Sequence, residues 1–456
     1  GKNYSALCPF HKEKSPSFSV SSDKQFYYCF GCGAGGNALG FIMEFERLSF
    51  PEAVEELSKS VGLDVPREHD RAQDIEREKQ VKQQFDTLEQ SNLYYQQQLR
   101  LHTGREKAVS YLKTRGLSGQ IAARYQLGYA PPGWDNLSTA LADQRPDISE
   151  LLLKSGMLVE NEEKQSRYDR FRDRIMFPIR DTRGRVIGFG GRVLNDDKPK
   201  YLNSPETDTF HKGRELYGLF EARQQNGSLN RLLIVEGYMD VVSLAQHGLT
   251  WSVATLGTAT TEVHLERVFK LVTEVIFCFD GDRAGRQAAR RALDTAVPVM
   301  RDGLMARFLF LPEGEDPDTL IRQEGLEAFQ QRVTESLPFS EFFFKSLGEG
   351  LDLTSMDGRA QMSTLALPLI QGMQPSLLQQ MMLDRITEIT GLGLDQLNAV
   401  VNLQKAVESG AVSQAKSAHY NSSADSAGQI GGGYFQTRKP APLLVERSGT
   451  RISLVN

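Results

Sequence analysis

The chain has 456 residues, 40% of them hydrophobic, and its formal net charge at pH 7 is -5. This length predicts two or more domains rather than one hydrophobic core. Because the net charge is negative, overall charge gives no evidence for binding to nucleic acid. The sequence has no apolar run of about 18 residues and no secretion signal, so it supports neither a membrane protein nor a secreted one, and we expect a cytoplasmic protein.

The first predicted domain, residues 1–66, combines short aromatic strands with a helical pattern from Asn37 to Val61. Three of the four cysteines lie within its first 32 residues, which does not suit a disulfide framework. The motifs CPFH and CFGC each contain two metal ligands separated by two intervening residues. Three thiolates and one imidazole form a closed tetrahedral site, so we predict one structural Zn²⁺ bound by Cys8, His11, Cys29 and Cys32.

An alternating strand pattern lies between the two metal motifs. It predicts one shared face for Lys24, Phe26, Tyr28 and Phe30. Rings next to a basic residue suit base stacking on a single nucleic-acid strand, although so small a domain also needs rings for its core. Residues 67–101, rich in charge and glutamine, then predict an exposed helical linker that enters the next domain.

Residues 102–228 predict a basic subdomain of mixed α/β structure. Thr182, Arg183 and Gly184 suit a hairpin turn between two apolar runs. From Arg167 to Lys200, eight arginines and two lysines outnumber five aspartates. The alternative interpretation of such a run is a solvated face.

In residues 229–316, short apolar runs alternate with helical stretches, which predicts a parallel sheet covered on both faces. Carboxylates follow three of these runs, at the sheet edge where ligands bind. Converging carboxylates repel each other unless cations neutralise them, and an all-oxygen ligand set selects Mg²⁺ or Mn²⁺. We therefore predict a catalytic cation site formed by Glu236, Asp280, Asp282, Asp316 and Asp318, with Asp240 nearby. The alternative for any single Asp is a turn residue or helix N-cap.

Other side chains near this edge have weaker signals. Arg283, Arg286 and Arg290 share one helical face, which either steers phosphates or is simply solvated. Cys278 lies in an apolar strand and is predicted to be core. The sequence gives His247 and His264 no partner at ligand spacing, so we assign them no role.

The remaining chain predicts a helical subdomain, residues 317–404, and a flexible tail, residues 405–456, rich in Ser, Ala and Gly. The expected architecture is thus multidomain α/β. It comprises a zinc ribbon, a mixed α/β subdomain, a parallel α/β sheet and a C-terminal helical subdomain. Because the chain begins with Gly1 rather than Met, we interpret it as a fragment.

Several segments together resemble bacterial DnaG-type primases. CPFHKEKSPSFSVSSDKQFYYCFGCGAGGNA resembles the zinc-binding domain of that family, and VEGYMDVVSLAQHG, FCFDGDRAGRQAA and GEDPDTL resemble its Toprim fold. Between them, YDRFRDRIMFPIRD, GRVIGFGGRVL, KYLNSPET and FHKGRELYG resemble the basic motifs of the family in the same order. The resemblance implies a monomeric polymerase core that synthesises short RNA primers on single-stranded DNA from ribonucleoside triphosphates.

The resemblance also implies roles for individual residues. It makes the Cys/His set the zinc ligands and the six acids the catalytic set, and it leaves Glu236 either a cation ligand or a general acid or base. It places six basic residues in the groove for template and nucleotide, namely Arg115, Arg170, Arg172, Arg192, Lys200 and Lys212.

The family implies further partners and a location. The partners are the replicative helicase and a single-strand-binding protein, with the enzyme in the cytoplasm at replication forks and nucleoid-associated. We expect this chain to lack the C-terminal helicase-binding domain and a helical stretch before the zinc ribbon. The alternatives are a Toprim topoisomerase or nuclease, which shares the acids, and a noncatalytic zinc-ribbon protein that binds single strands.

Overall fold

The computed structural model describes residues 3–11, 13–46, 48–60, 71–142, 147–163, 165–195 and 197–396. The predicted flexible tail, residues 405–456, lies outside this part of the chain. Contacts group Gly1–Leu392 into one unit, and the description below concerns that unit. Among its described helices, none combines the length and the apolarity needed to cross a bilayer.

The N-terminal elements form a small module, hereafter the zinc module. Its antiparallel sheet has the order β1-β2-β3-β4 and is followed by two helices. The elements are β1 Asn3–Ala6, β2 Phe18–Ser21, β3 Phe26–Cys29, β4 Gly35–Gly36, α1 Ala38–Phe45 and α2 Phe50–Ser60. Helix α1 begins where the Asn37 side chain accepts a hydrogen bond from the Gly40 N–H, a standard N-cap. The predicted helical stretch is therefore two helices.

Helix α3, Arg71–Leu101, connects this module to the rest of the chain. We predicted an exposed helix, but its second half is part of a core because Leu88 and Tyr95 are buried. They pack with residues of the following subdomain, including Phe189. Glutamines dilute the apolar spacing of this helix, so the sequence pattern concealed its buried face.

The central subdomain is an antiparallel sheet with surrounding helices. The sheet order is β10-β9-β8-β5, beside a separate β6-β7 pair. The elements are α4 Arg105–Thr114, α5 Gly119–Arg124, β5 Gly128–Ala130, α6 Asn136–Ala142, α7 Ile148–Lys154, β6 Leu158–Asn161, β7 Ser166–Asp169, β8 Arg174–Arg180, β9 Val186–Val193, β10 Tyr201–Asn203 and α8 Leu219–Asn226. The predicted hairpin joins β8 and β9, where Gly184 has a φ of 85° and donates its N–H to the Asp181 carbonyl.

The next part contains the predicted parallel sheet. Its elements are β11 Arg231–Val235, α9 Tyr238–Gln246, β12 Ser252–Ala254, α10 Glu262–Phe269, β13 Glu274–Phe279, α11 Arg283–Ala296, β14 Met305–Phe310 and β15 Leu337–Pro338. The order is β12-β11-β13-β14-β15, and only β15, which we did not predict, is antiparallel to its neighbour. After β11, the chain adds β12 on one side of this strand and then β13 on its other side. Parallel sheets have a ligand-binding crevice where the strand order reverses in this way, and here it lies at the C-terminal ends of β11 and β13.

The predicted helical subdomain contains four helices in its described residues, and β15 lies between the first and the second of them. They are α12 Pro317–Glu335, α13 Phe339–Gly348, α14 Met356–Gln371 and α15 Leu377–Thr390. Helix α12 is interrupted at Gly325, whose φ of 79° is not helical. Helix α13 packs on the sheet through Phe342, whose ring centroid lies 4.4 Å from that of Phe308 in β14. This packing joins the helical part to the parallel sheet.

Candidate functional site

The four predicted zinc ligands lie together in the zinc module. Their ligand atoms all lie within 4.8 Å of one another. The Cys8 and Cys32 Sγ atoms are 3.8 Å apart, and the Cys29 Sγ atom is 3.7 Å from the His11 Nδ1 atom. For a zinc–sulfur bond of about 2.3 Å, the edge of a tetrahedron is about 3.8 Å, so the four residues fit one zinc ion.

Hydrogen bonds around Cys29 favour its thiolate. Burial opposes ionisation, but hydrogen bonds from the Ser17 hydroxyl and from the backbone N–H groups of Cys32 and Gly31 lower the pKa of Cys29 to about 6. The turn that follows β3 directs these two N–H groups towards the sulfur. A thiolate is the form that binds a metal, so the local backbone prepares the site.

Glu13 supports this cluster and was missed in the sequence analysis. Its Oε1 atom accepts hydrogen bonds from the N–H groups of Cys8, at 2.7 Å, and Ser17, at 3.1 Å. Its Oε2 atom lies 3.3 Å from the His11 Nε2 atom, while the other ring nitrogen faces Cys29. A carboxylate in this position orients a histidine ligand and selects its tautomer. Metal-ligand spacing alone carries no signal for such a residue.

The aromatic residues of the module divide between its core and its surface. Tyr27 and Phe18 are buried and stack on each other, whereas Phe26, Tyr28 and Phe30 are exposed. Tyr28 contacts both outer rings, with centroid distances of 6.4 Å to Phe26 and 5.1 Å to Phe30. The surface therefore carries a continuous patch of three rings.

Five of the predicted acids line one cavity, hereafter the acidic cleft, at the crevice of the parallel sheet. The cavity has a volume of about 250 Å³. Its acidic lining residues are Glu236, Asp240, Asp280, Asp316 and Asp318. Asp282 does not line the cavity. In the part of the chain that the structure describes, only the Cys/His cluster brings three or more metal-ligand side chains within 4.8 Å of one another, so the acids are more widely spaced.

Electrostatic repulsion within the cleft shows in the pKa values of its acids. Burial and the charges of Glu236, Asp316 and Asp282 raise the pKa of Asp280 to about 7. Burial, and then Asp316 and Asp280, raise the pKa of Asp240 well above its usual range. Partial desolvation and Asp282 also raise the pKa of Glu236. All-oxygen ligands that repel each other suit a hard divalent cation, so these residues fit Mg²⁺ or Mn²⁺ in chemistry.

Three of the acids have additional structural roles. Asp282 caps α11 by accepting the Gly285 N–H at 2.7 Å, and Asp316 caps α12 by accepting the Thr319 N–H at 2.7 Å. The N-cap alternative is thus correct for these two, but each cap uses only one carboxylate oxygen. Asp318 is buried and forms ion pairs at 2.7 Å with Arg115 and at 3.0 Å with Arg322.

The six predicted basic residues do not all lie at one site. Arg115, Arg192 and Lys200 line the acidic cleft. Arg170 and Arg172 do not. The Arg170 Nε atom donates to the Gly156 carbonyl at 2.9 Å, and the Arg172 guanidinium lies over exposed Trp134, 4.3 Å from the ring centroid.

The last predicted basic residue, Lys212, lies on a loop held by α10. His264 is buried, and its Nε2 atom lies 2.9 Å from the Lys212 carbonyl and 3.1 Å from that of Glu215. The Thr261 hydroxyl donates to the Gly213 carbonyl at 2.7 Å. His264 therefore has a positioning role that we did not assign, because its partners are backbone carbonyls without a sequence signature.

Family models match most of the chain. "CHC2 zinc finger" matches residues 1–73, and "DNA primase catalytic core, N-terminal domain" matches residues 94–223. "Toprim-like" matches residues 233–321, and "DnaB-helicase binding domain of primase" matches residues 340–395. These matches and the observed sheet confirm the predicted fold class. The expectation that the chain lacks a helicase-binding domain is wrong, because this last model matches residues 340–395, within the helical subdomain that we predicted for residues 317–404.

Curated relatives are similar along most of the chain. A DNA primase of Pseudomonas putida is 56% identical over 410 residues, which cover 90% of this chain and 62% of the relative. A DNA primase of Escherichia coli is 52% identical over 410 residues, covering 90% of this chain and 70% of the relative. The chain thus spans less than two thirds of the Pseudomonas protein.

Solved structures show the same similarity. The crystal structure of a DNA primase domain from Pseudomonas aeruginosa has a TM-score of 0.68 and 52% identity, covering 70% of this chain and 99% of that domain. A DnaG primase catalytic domain bound to single-stranded DNA has a TM-score of 0.65 and 52% identity, covering 69% of this chain and 97% of that domain.

Proposed function

The chain belongs to the bacterial DNA primase family, and from that premise we propose that it synthesises short RNA primers on single-stranded DNA from ribonucleoside triphosphates. The observation that carries the proposal is the acidic cleft, where five carboxylates face Arg115, Arg192 and Lys200. Nucleotidyl transfer needs such a combination. Acids hold the divalent cation, and basic side chains neutralise the phosphates of the nucleotide.

We assign cation binding to Glu236 and Asp280, whose pKa values are raised, and to the carboxylate oxygen of Asp316 that the helix cap does not use. Glu236, Asp280 and Asp316 would hold Mg²⁺ or Mn²⁺ at the C-terminal edge of the parallel strands. When bound, this cation neutralises the triphosphate and stabilises the charge that develops at the reacting phosphate. The raised pKa of Glu236 also suits this residue to accept the proton of the attacking 3′-hydroxyl. We therefore propose Glu236 either as a cation ligand or as the general base.

Asp318 has a different part in the proposal. It fixes the Arg115 guanidinium beside the cleft through the ion pair at 2.7 Å. Arg192 is held as well, because its Nε atom donates to the Tyr201 hydroxyl at 3.1 Å and its guanidinium lies over the Tyr111 ring. Arginines fixed in this way bind phosphates without losing much side-chain entropy, so we assign both of them to the nucleotide.

We propose that the template strand passes over Arg170 and Arg172. Arg172 lies over the rings of Trp134, at 4.3 Å, and Tyr168, at 5.1 Å, which forms a surface on which bases and phosphates can both bind. The similar DnaG catalytic domain was solved with bound single-stranded DNA, which supports a single-stranded template for this chain. Lys212, on the loop held by His264, and the three exposed rings of the zinc module are the other proposed contacts to nucleic acid.

The proposal extends to partners and location. The match to the helicase-binding model supports a contact between residues 340–395 and the replicative helicase. As in the family, we propose a single-strand-binding protein as a further partner and the cytoplasm, at replication forks, as the site of action. The zinc module acts on its own polymerase core or on that of a neighbouring molecule.

A primer-synthesis assay tests the proposal directly. The protein is incubated with single-stranded DNA, labelled ribonucleoside triphosphates and Mg²⁺, and short RNA products are resolved by electrophoresis. We expect products from the native sequence, and a loss of about 100-fold or more in Asp280→Ala, since a group that stabilises transition-state charge is removed. Asp294→Ala, which removes an exposed acid of α11, is the matched control and should retain activity. DNA relaxation or cleavage without RNA synthesis would contradict the proposal.

A further inference from the structure

A second, larger groove lies away from the acidic cleft, between α3, α4 and α5. It has a volume of about 550 Å³. The helices supply an apolar surface, in which Leu112, Leu117 and Leu127 form the buried floor and Leu99 and Val109 are half-buried walls. Small residues of α5, Ala122 and Ala123, leave the space open. No function described above uses this groove.

The rim of the groove is basic. Arg100, Arg105 and Lys113 line it and are exposed. None of its lining residues is acidic. Within the described chain, these three cations form no ion pair, and the Arg105 guanidinium instead donates to the Arg100 carbonyl. The rim therefore presents three uncompensated positive charges beside an apolar floor.

This combination selects a particular kind of ligand. Positive charges attract an acidic partner and orient it, whereas an apolar pocket gains affinity only by burying an apolar side chain. A nucleic acid would use the rim but would place polar sugar and phosphate against the leucine floor, and interfaces for nucleic acid are typically more polar. We propose that this groove binds an acidic peptide segment of a partner protein that carries one or two large apolar side chains.

The position of the groove makes it compatible with catalysis. Helix α4 ends at Thr114, and the next residue, Arg115, faces the acidic cleft. A partner in the groove thus contacts the helix that leads to the nucleotide-binding arginine, but covers none of the residues that line the acidic cleft. The proposal itself rests on the shape and charge of the groove, and it does not depend on the polymerase activity.

A binding experiment with the full chain tests the proposal. The probe is a fluorescein-labelled peptide in which aspartates flank a central phenylalanine–leucine pair, and fluorescence anisotropy reports binding at low salt. We expect Lys113→Glu to weaken binding by about tenfold, because a favourable charge pair becomes a repulsive one. Lys270→Glu makes the same charge change at an exposed position just after α10, outside the groove, and should leave the affinity unchanged.

A second variant separates the apolar floor from the charges. Ala123→Trp fills the groove from the exposed face of α5 without changing any charge, and we expect it to reduce peptide binding by about tenfold. A peptide with alanines in place of the phenylalanine–leucine pair should bind equally weakly to the native protein. Circular dichroism checks that each variant is folded.

Three outcomes would overturn the proposal. They are no binding of the peptide, equal binding to the Lys113→Glu and Lys270→Glu variants, and equal binding of the peptide without its apolar pair. Displacement of the peptide by single-stranded DNA that itself loses affinity in Lys113→Glu would assign the groove to nucleic acid instead. Primer synthesis is measured in parallel, and a failure there leaves the peptide result interpretable.

Discussion

The zinc module and the acidic cleft both gather charged or ionisable side chains, but they do so in opposite ways. The zinc ligands come from two short motifs within 32 residues, and their ligand atoms already lie within 4.8 Å of one another. The acids of the cleft follow three different strands, and among the described residues no three of them approach that closely. One site is assembled by local turns, and the other by the order of strands in a sheet.

The difference shows how each site handles its charge. In the zinc module, backbone N–H groups and Ser17 stabilise the Cys29 thiolate, whereas burial raises the pKa of Cys8 to about 11, so the local structure prepares only part of the ligand set. In the cleft, burial and neighbouring acids raise the pKa values of three acids, and among the cleft acids of the described chain only Asp318 forms ion pairs, with two arginines. We therefore expect the module to need its metal in order to fold, and the sheet to fold on its apolar strands despite the repulsion at its edge.

Removal of zinc should have the largest effect, and it should be confined to one region. We expect chelation to unfold the zinc module, because structural zinc contributes about 10 kcal/mol or more to the folding of such small modules. The rest of the chain keeps its own core. Hydrogen exchange read by mass spectrometry should show lost protection for β2, β3 and α1 with little change in β11 and β13. Unfolding of both regions together would contradict this separation.

Asp318→Asn should have the next largest effect, on stability. Asp318 is only 1% exposed and pairs with Arg115 and Arg322, so its removal leaves two arginines without their partner. We expect a loss of about 3 kcal/mol in the free energy of unfolding, measured by urea denaturation. Asp294→Asn, an exposed acid, is the control and should change stability little. An Asp318→Asn protein as stable as the control would mean that the ion pairs contribute nothing.

Asp280→Asn should act in the opposite direction. The pKa of Asp280 is raised to about 7 in the folded protein, above its usual value, so the folded state binds a proton more tightly than the unfolded state. In zinc-loaded protein without added Mg²⁺, stability should therefore fall as the pH rises from about 4 to about 7, by about 2 kcal/mol after allowing for solvent screening.

The variant removes much of this pH dependence, so Asp280→Asn should be the more stable protein at pH 8. Thermal denaturation over that pH range measures the effect, and Mg²⁺ should restore stability to the native sequence more than to the variant. Stability that rises with pH across this interval would show that the cleft is not electrostatically strained.

Glu13→Gln should have the smallest effect. The amide loses the charge that orients His11 but keeps similar size and hydrogen bonding, so we expect zinc affinity to fall by about tenfold, or about 1.4 kcal/mol. Competition with a chromophoric chelator measures this change. Glu44→Gln, which alters an acid of the module that is hydrogen-bonded to Tyr27 and is not part of the zinc cluster, is the matched control. Equal zinc affinities in the two variants would argue against a role for Glu13.

The sequence predicted most of the strands and the candidate site residues, but not their surroundings. The spacing of Cys8 and His11 and the apolar runs before Glu236 and Asp280 are local signals, and they carried those predictions. The buried face of α3 around Leu88 was concealed by glutamines, and β15 was too short to give a pattern. The expectation that the chain lacks a helicase-binding domain was also wrong, because the helical periodicity of residues 317–404 does not identify a binding partner.

By itself, the sequence determined which residues can bind metals and in which order the α and β elements occur, since both depend on side-chain chemistry and on neighbours along the chain. The tertiary structure decided how each acid is used. Asp318 pairs with Arg115, which is 203 residues away along the chain, and Asp280 is left in the repulsive field of the other acids. Those roles depend on distances between segments that are remote in sequence, and only the packing of the sheet sets such distances.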